Sequence, residues 1–249
     1  LLFSKLRKQV FGGNLRFFVG GGALLDIELQ RYYAALGIPM FQGYGLSEAS
    51  PVISSNTPGR YRFGSSGILV KPIDLKVCDE EGQELPQGQK GELWIKGGNV
   101  MAGYWRNEKS TAETIVDGWL HTGDLGTMDA EGYVTVRGRS KNMLLTSSGQ
   151  NIYPEEIESK LNNMPYVAES LIVLQHDKLV ALIYPDFDDA FAHGLQQADI
   201  IKVMEANRVE LNQQLPNYSQ ISKVKIHFEE FEKTAKKSIK RFMYQEAKG

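Results

Sequence analysis

The sequence has a single cysteine, no long apolar run and almost no net charge, and each scarcity excludes a class of protein. Cys78 alone cannot form an intramolecular disulfide, which fits a reducing cytosol. No apolar run approaches the roughly 18 residues of a membrane-spanning helix, and the N-terminus lacks a signal-peptide layout. A formal net charge of −2 provides no basic field for nucleic acid. We therefore expect a soluble, cytoplasmic protein without a nucleic-acid partner.

The chain has 249 residues, of which 42% are hydrophobic, enough to build the cores of one large or two smaller domains. Cys78 ends an alternating run over residues 74–78, which is typical of a strand position and not of a nucleophile. The sequence begins at Leu1, without methionine, in a predicted amphipathic helix over residues 2–10. We expect it to be a fragment of a longer protein.

Two loops in the first part of the chain follow predicted strands. Residues 15–19 form an apolar strand candidate, followed by three glycines at residues 20–22 and a helix to about Leu36. A second strand, over residues 38–42, leads into the run YGLSE at residues 44–48. A strand, a glycine turn and a helix start place backbone N–H groups where an anion or nucleotide can dock. The alternative is a tight turn that needs glycine only for its backbone dihedrals. Because ligands bind at the carboxyl ends of strands in open α/β sheets, the two loops predict one site.

The pattern then changes to short alternating strands between about Ile68 and Ile95, which predict a small antiparallel sheet or distorted β-barrel. The aromatic residues Trp94, Tyr104 and Trp105 are interpreted as structural, since most such residues pack in or near a core. A further strand is predicted over residues 133–137.

Beyond Lys141, strands and helices alternate as in a compact α+β domain of about 110 residues. Pro154 suits a first helical position, and Ile157, Leu161 and Met164 recur at helical spacing. The other predicted elements are strands near residues 170–174, 179–184 and 224–228, a helix over residues 198–215, and an exposed connection over residues 185–194.

Three motifs occur in a fixed order: YGLSE at residues 44–48, LHTGDL at residues 120–125, and GRSK at residues 138–141 before a small-residue loop and a proline-started helix. Together they resemble the adenylate-forming superfamily, which includes acyl-CoA synthetases, luciferases and peptide-synthetase adenylation domains; the nearest resemblance is to long-chain fatty acyl-CoA ligases. It covers the whole chain but only the latter part of a family member.

The resemblance implies a chain of α/β and α+β class with two domains. Residues 1–138 would be the end of the large AMP-binding domain, with a sheet and a distorted β-barrel. Residues 139–249 would be the small, mobile C-terminal domain, with a hinge near Lys141 that exchanges an adenylating pose for a thioester-forming pose.

Residues of the first motif suit nucleotide chemistry. The Ser47 hydroxyl can bond an α-phosphate oxygen, and Glu48 offers a hard oxygen ligand for Mg²⁺. Tyr44 offers an aromatic face for adenine. The resemblance implies these same roles, although the family more often has threonine where Ser47 stands. The nucleotide-binding glycines that it implies are Gly20, Gly21, Gly22 and Gly45.

Residues of the later motifs complete the implied site. The Asp124 carboxylate can accept hydrogen bonds from both hydroxyls of a ribose, whereas an isolated Gly-Asp pair is more often a turn. The family places Arg139 at the ribose and phosphate, and Gly149 beside the pantetheine tunnel of CoA, where a side chain would obstruct the thiol. His121 is left without a role, because an exposed or packing histidine is the simpler interpretation.

The last motif of the family departs most from its pattern here. The family has Lys-Thr, two variable residues, Gly-Lys-Ile, one variable residue and Arg, and residues 233–241 read KTAKKSIKR. Lys237 therefore stands at the glycine and Ser238 at the catalytic lysine. Either Lys237 serves as the catalytic lysine from one residue earlier, or the chain has lost the function of that lysine. The structural alternative is that the basic run is a solvated helix face, as such runs usually are.

The implied parent is an ATP-dependent long-chain fatty acid–CoA ligase, which uses ATP, Mg²⁺ and CoA and passes through an acyl-AMP. The family's Ser/Thr/Gly-rich phosphate loop, ending in Pro-Lys-Gly, does not occur in this sequence. We therefore expect the chain alone to be inactive and the missing N-terminal half to be its partner. Two alternatives stay open: an acyl-AMP or carrier-loading enzyme, and a non-catalytic nucleotide- or acyl-binding module. Peripheral membrane contact also stays open.

Overall fold

The computed structural model describes residues 2–235 and 237–245, and the chain divides between Lys141 and Asn142 into two compact units. The first unit combines helices with strands, most of which are short. In chain order they are α1 (Leu2–Phe11), β1 (Phe18–Gly20), α2 (Ile27–Ala35), β2 (Met40–Gly45), β3 (Val52–Ser55), β4 (Ile68–Leu69), β5 (Ile73–Cys78), β6 (Gly91–Gly97), α3 (Glu108–Thr114), β7 (Ile115–Val116), β8 (Trp119–Met128) and β9 (Val134–Arg139).

The first unit contains two sheets. One has the order β1-β2-β3-β4, in which β1 and β2 are parallel and the later pairs antiparallel. The other is antiparallel, with the order β5-β6-β8-β7 and β9 paired to β8, and this confirms the predicted sheet of short strands. Side chains from both sheets meet in one core, whose fully buried members include Ile53, Leu93, Ile95, Leu120 and Val134.

The second unit is the α+β arrangement that the sequence predicts. Its elements are β10 (Leu144–Leu145), β11 (Asn151–Ile152), α4 (Pro154–Leu161), β12 (Val167–Gln175), β13 (Lys178–Pro185), α5 (Phe187–Ala192), α6 (Gln197–Gln214) and β14 (Lys223–Ile226). Strand β13 pairs antiparallel with β12 and parallel with β14. Helices α4 and α6 cover this sheet through buried residues such as Leu161, Ile172, Ile183 and Met204.

Several predicted boundaries were wrong, and two of the differences matter for function. Strand β2 extends to Gly45, so Tyr44 lies within a strand and not in the loop after it. Strand β9 extends to Arg139, which makes this arginine a strand residue as well. The strand predicted over residues 15–19 begins only at Phe18, and α4 ends at Leu161, before Met164.

The connection predicted over residues 185–194 is wrong, because it contains the helix α5. Its start is stabilised by Asp186, whose side chain accepts a hydrogen bond from the Asp189 N–H at 3.0 Å. Composition alone suggested a loop because Asp is common in turns, yet Asp at an N-cap and in a first turn also favours a helix. Among residues 2–235 and 237–245, no helix has the length and apolar character needed to cross a bilayer.

Leu161→Ala tests the packing of the second unit. Leu161 is fully buried, so its truncation should lower the free energy of unfolding by about 2–5 kcal/mol. Leu145 is 61% exposed in the same unit, and the matched change Leu145→Ala should stay within about 0.5 kcal/mol of wild type. Urea denaturation followed by far-UV circular dichroism measures both. Equal losses for the two variants would contradict the described core.

Candidate nucleotide site

The glycine loop and the YGLSE run lie at the same sheet edge, as the sequence predicts. Strands β1 and β2 are parallel neighbours in which Gly20 pairs with Gln42, so their carboxyl ends point the same way. A Cβ built on Gly21 would lie 3.6 Å from the Gly43 carbonyl oxygen, which shows how closely the loop approaches β2. Gly22 has a φ of +85°, in the left-handed region that favours glycine. The contact of Gly21 and Gly22 with adenine stays a prediction.

The central feature of the first unit is a buried carboxylate held from two sides. Asp124 is 4% exposed, and its Oδ2 accepts a hydrogen bond from the Tyr44 hydroxyl at 2.8 Å. Its Oδ1 lies 3.0 Å from Nε of Arg139. Asp124 and Arg139 are direct cross-strand partners on β8 and β9, which explains why they meet. Tyr44, Asp124 and Arg139, three predicted site residues, therefore form one constellation.

The protonation of Tyr44 follows from its surroundings. Burial, reinforced by the negative charge of Asp124, raises the pKa of the Tyr44 phenol above its usual value. The hydroxyl consequently stays protonated near neutral pH and donates to the carboxylate. This bond joins residues 80 positions apart, and the sequence gives no signal for it.

Ser47 and Glu48 begin a short 3-10 helix, Ser47–Ala49, directly after β2. Ser47 is exposed, and the Glu48 carboxylate accepts a hydrogen bond from the Tyr104 hydroxyl at 3.1 Å. Burial and the neighbouring Glu48 charge raise the pKa of Tyr104, so it also remains a donor. The Glu48 carbonyl accepts from the Met101 N–H at 2.8 Å, which fixes the backbone of the turn.

Gly45 is required at the end of β2 for a steric reason. A Cβ at this position would lie 1.9 Å from the Pro51 carbonyl oxygen, a distance that no real contact allows. The same oxygen accepts the Leu46 N–H at 2.8 Å and closes the turn that presents Ser47 and Glu48. In this structure Gly45 shapes the site by close backbone approach.

A cavity of about 300 Å³ brings several predicted residues together. Glu48, Arg139 and Lys141 line it, and Tyr44 and Asp124 connect to it through the Asp124–Arg139 ion pair. Its volume is at the lower end of the range for small-molecule sites, roughly 300–1,000 Å³. The arrangement offers a fixed carboxylate for hydroxyl groups, a guanidinium for anionic groups and a second carboxylate for a cation.

The interpretation of the aromatic residues was partly wrong. Tyr104 lines the cavity and bonds Glu48, so it belongs to the site and is not only structural. Trp105 is 86% exposed and does not pack in the core. Trp94 stacks on His121 with ring centroids 3.7 Å apart, and burial lowers the pKa of this histidine, which favours its neutral form. The available signal was the position of Tyr104 in a loop after Gly103, because binding residues lie disproportionately on loops.

Gly149 lies in the loop between β10 and β11 of the second unit. Its φ is +76°, and its N–H donates to the Thr146 carbonyl at 2.9 Å, which closes a tight turn. No atom of the described residues lies within 4 Å of a Cβ built there, so the backbone conformation alone accounts for glycine within this structure. Asp177 holds the loop by accepting the Ser147 N–H at 2.9 Å. The role of Gly149 toward CoA stays a prediction.

Lys237 lies at the tip of a tight turn near the C-terminus. Lys233 and Ile239 form a β-bridge, and the Lys237 N–H donates to the Thr234 carbonyl at 2.8 Å. The φ of Lys237 is +60°, so it adopts the left-handed conformation that suits the glycine of the family motif. Lys237 and Ser238 are both exposed, whereas Lys236 lies outside the described residues.

The turn is anchored by an ion pair that sequence reasoning missed. Arg241 donates to Glu158 Oε1 at 2.8 Å and also contacts the other carboxylate oxygen, Oε2. Glu158 is 7% exposed and accepts the Ile172 N–H at 2.7 Å as well. Its position beside Ile157, among the buried residues of α4, was the signal in the sequence, since a buried acidic residue needs partners.

Two family models match the chain, that of the AMP-binding enzymes over residues 2–105 and that of the C-terminal domain of AMP-binding enzymes over residues 141–247. The chain therefore belongs to the adenylate-forming, AMP-binding enzymes, as its motifs predict.

Curated relatives include acyl-CoA ligases with different acids in their names. The long-chain-fatty-acid–CoA ligase FadD15 of Mycobacterium bovis is 37% identical over 173 residues, which cover 70% of this chain and 27% of the relative. A feruloyl-CoA synthase of an Amycolatopsis species is 37% identical over 162 residues, which cover 64% of this chain and 33% of the relative. The chain thus spans only part of the length of these relatives.

A solved structure confirms the predicted fold class. The anthranilate CoA ligase AuaEII, in complex with anthranoyl-AMP, aligns with a TM-score of 0.78 and 29% identity over 98% of this chain and 45% of that chain. The chain therefore has the fold of the corresponding part of an adenylate-forming enzyme, with mixed α/β and α+β character.

Arg241→Ala tests the anchor of the C-terminal turn. Removal of the guanidinium would leave the Glu158 carboxylate buried without its charged partner, so the free energy of unfolding should fall by about 3–5 kcal/mol. Lys240→Ala removes a more exposed cation, 3.4 Å from Glu232, and should cost no more than about 1 kcal/mol. Urea denaturation measures both variants. A loss below about 1 kcal/mol for Arg241→Ala would contradict a structural anchor.

Proposed function

We propose that this chain provides the adenosine-binding side and the C-terminal domain of an ATP-dependent acid–thiol ligase. Such an enzyme activates a carboxylic acid as an acyl-adenylate and transfers the acyl group to CoA. The proposal rests on the position of the Asp124 carboxylate. Tyr44 and Arg139 hold this carboxylate beside a cavity that Arg139 and Glu48 line. A carboxylate held in this way is preorganised to accept the two hydroxyls of a ribose.

The remaining nucleotide contacts follow from the same sheet edge. Ser47, exposed after β2, would donate its hydroxyl to an α-phosphate oxygen, and Arg139 would contact the ribose and phosphate region. Gly21 and Gly22 would lie beside adenine. The Tyr44 ring is only 9% exposed, so it would offer an edge to adenine while its hydroxyl orients Asp124.

The donor set at Glu48 fits Mg²⁺ bound together with a nucleotide. Within the part of the chain that the structure describes, no group of three or more His, Cys, Asp or Glu residues could hold a metal ion. Mg²⁺ in nucleotide sites is usually held by one or two carboxylates together with substrate phosphates and water. Glu48 would be that carboxylate, with Tyr104 fixing one of its oxygens. When bound, the ion would neutralise phosphate charge.

A catalytic lysine is proposed at Lys237. Its exposed side chain extends from a turn that keeps the left-handed backbone of a glycine and is anchored through Arg241. Ser238, which replaces the family lysine, has no cationic group to offer an anionic carboxylate and phosphate. We further propose two domains, residues 1–138 and 139–249, with a hinge near Lys141. The chain divides into its two compact units directly after this residue. Gly149 would then serve the CoA half of the reaction.

We propose a long-chain fatty acid as the substrate and the cytoplasm as the location. Long-chain-fatty-acid–CoA ligases recur among the relatives, at 37% identity in FadD15, and this supports the acyl class. The feruloyl-CoA synthase at equal identity makes an aromatic acid the competing substrate. Pyrophosphate exchange by the proposed full-length ligase, measured with each acid in turn, would distinguish the two substrates. Release of a thioester on adding CoA would separate a CoA ligase from an acyl-AMP or carrier-loading enzyme.

Asp124→Ala tests the proposal on the 249-residue chain itself. Loss of hydrogen bonds to a charged acceptor costs on the order of 1.5–3 kcal/mol, so the affinities for AMP and ATP should both fall by roughly 10- to 100-fold. Titration calorimetry measures these affinities. The exposed Asp74 on β5 supplies the control, since Asp74→Ala removes the same charge outside the constellation. Unchanged affinity in Asp124→Ala, or no nucleotide binding by the wild-type chain, would refute the ribose assignment.

A further inference from the structure

Asp124 lies in an irregular part of β8, where this strand carries more residues than its neighbour β6. Glu92 pairs with Leu125, and Trp94 pairs with His121. One residue separates the two partners on β6, whereas residues 122–124 separate them on β8. Such a bulge redirects side chains and leaves backbone groups without ladder partners, and bulges are frequent beside active sites.

Side chains satisfy the backbone groups that this bulge leaves unpaired. The Thr122 hydroxyl donates to the Leu93 carbonyl at 2.7 Å and accepts the Asp124 N–H at 3.0 Å. Glu92 Oε1 accepts the Gly123 N–H at 2.8 Å. Gly123 has a φ of +67°, so its amide points away from the regular ladder and toward this carboxylate. The bulge is therefore closed by one hydroxyl and one carboxylate.

We propose that Glu92 is a positioning residue for the nucleotide site. Its carboxylate fixes the Gly123 amide, and this sets the direction in which the next residue, Asp124, leaves the strand toward Tyr44 and Arg139. The inference rests on the proposed function for its effect on nucleotide affinity. Glu92 also lines the cavity with Glu48 and Arg139, so the bulge and the site are adjacent.

The chemistry of this contact requires an acceptor oxygen at the end of two methylene groups. Glutamine offers such an oxygen without the charge, and alanine offers none. If Glu92 acts through its hydrogen bond, Glu92→Gln should keep its effect on nucleotide affinity and Glu92→Ala should lose it. If Glu92 acts through its negative charge, both variants should lose the effect equally. Glu80 provides a control, because it is an exposed glutamate in the turn after β5.

The experiment compares Glu92→Ala, Glu92→Gln and Glu80→Ala in the 249-residue chain. Calorimetry with AMP should show about tenfold weaker binding for Glu92→Ala, and Glu92→Gln and Glu80→Ala should stay within roughly threefold of wild type. Amide hydrogen exchange by NMR should show faster exchange at Gly123 in Glu92→Ala only. Thermal unfolding of each variant establishes that the comparison is made on folded protein.

Each outcome decides whether Glu92 positions Asp124 through its hydrogen bond to Gly123. Wild-type affinity in Glu92→Ala, or equal loss in Glu92→Ala and Glu92→Gln, would overturn the hydrogen-bonded positioning role. If the wild-type chain binds no AMP, the proposed function fails, and the exchange data then decide the role of Glu92 in the bulge separately. If Glu92→Ala unfolds, Glu92→Gln is the variant to measure. Faster amide hydrogen exchange at Gly123 in Glu92→Gln would then refute the role of the residue 92 side-chain oxygen as the acceptor of the Gly123 N–H.

Discussion

The site in the first unit depends on the cost of burying the Asp124 carboxylate. An ionised carboxyl group removed from water is strongly destabilised unless charged and hydrogen-bonding partners surround it. Arg139 supplies the charge from the adjacent strand β9, and Tyr44 supplies a hydroxyl from the other sheet. The same contacts therefore satisfy the carboxylate, join the two sheets and hold Asp124 in one orientation beside the cavity. Stability and preorganisation of the site have a common physical origin here.

Strong local signals explain which parts of the fold could be predicted from the sequence. Alternating runs predicted β5 and β6, and a proline followed by two glutamates predicted the start of α4. The order of the motifs predicted the family. Aspartates that suggested a loop over residues 185–194 instead begin α5, because the same residue type favours turns and helix starts.

The contacts of the site could not be predicted, because they depend on strand register. Asp124 meets Arg139 only because the β8–β9 register places them opposite each other, and a shift by one residue would turn either side chain to the other face. The bulge that Glu92 closes likewise arises from a mismatch in length between β6 and β8. Tyr104 meets Glu48 from a distant loop, and no local pattern encodes that approach.

The C-terminal turn holds a lysine, Lys237, in a backbone conformation that favours glycine. A left-handed conformation costs a non-glycine residue about 1–2 kcal/mol, yet Lys237 adopts it. The β-bridge of Lys233 with Ile239 and the Arg241–Glu158 ion pair hold the flanking chain, and this restricts the conformations open to the tip. These contacts on both sides of the turn therefore stabilise the left-handed conformation of Lys237.

A crystal structure of the chain with bound AMP would show directly whether Asp124 holds the ribose. Both ribose hydroxyls should lie about 2.5–3.0 Å from the Asp124 carboxylate oxygens, as charge-assisted O–H···O hydrogen bonds require. Tyr44 and Arg139 should keep their contacts with Asp124 in that complex. AMP bound with its ribose away from Asp124, while the Tyr44–Asp124–Arg139 constellation stays intact, would contradict the assignment of Asp124 to the ribose.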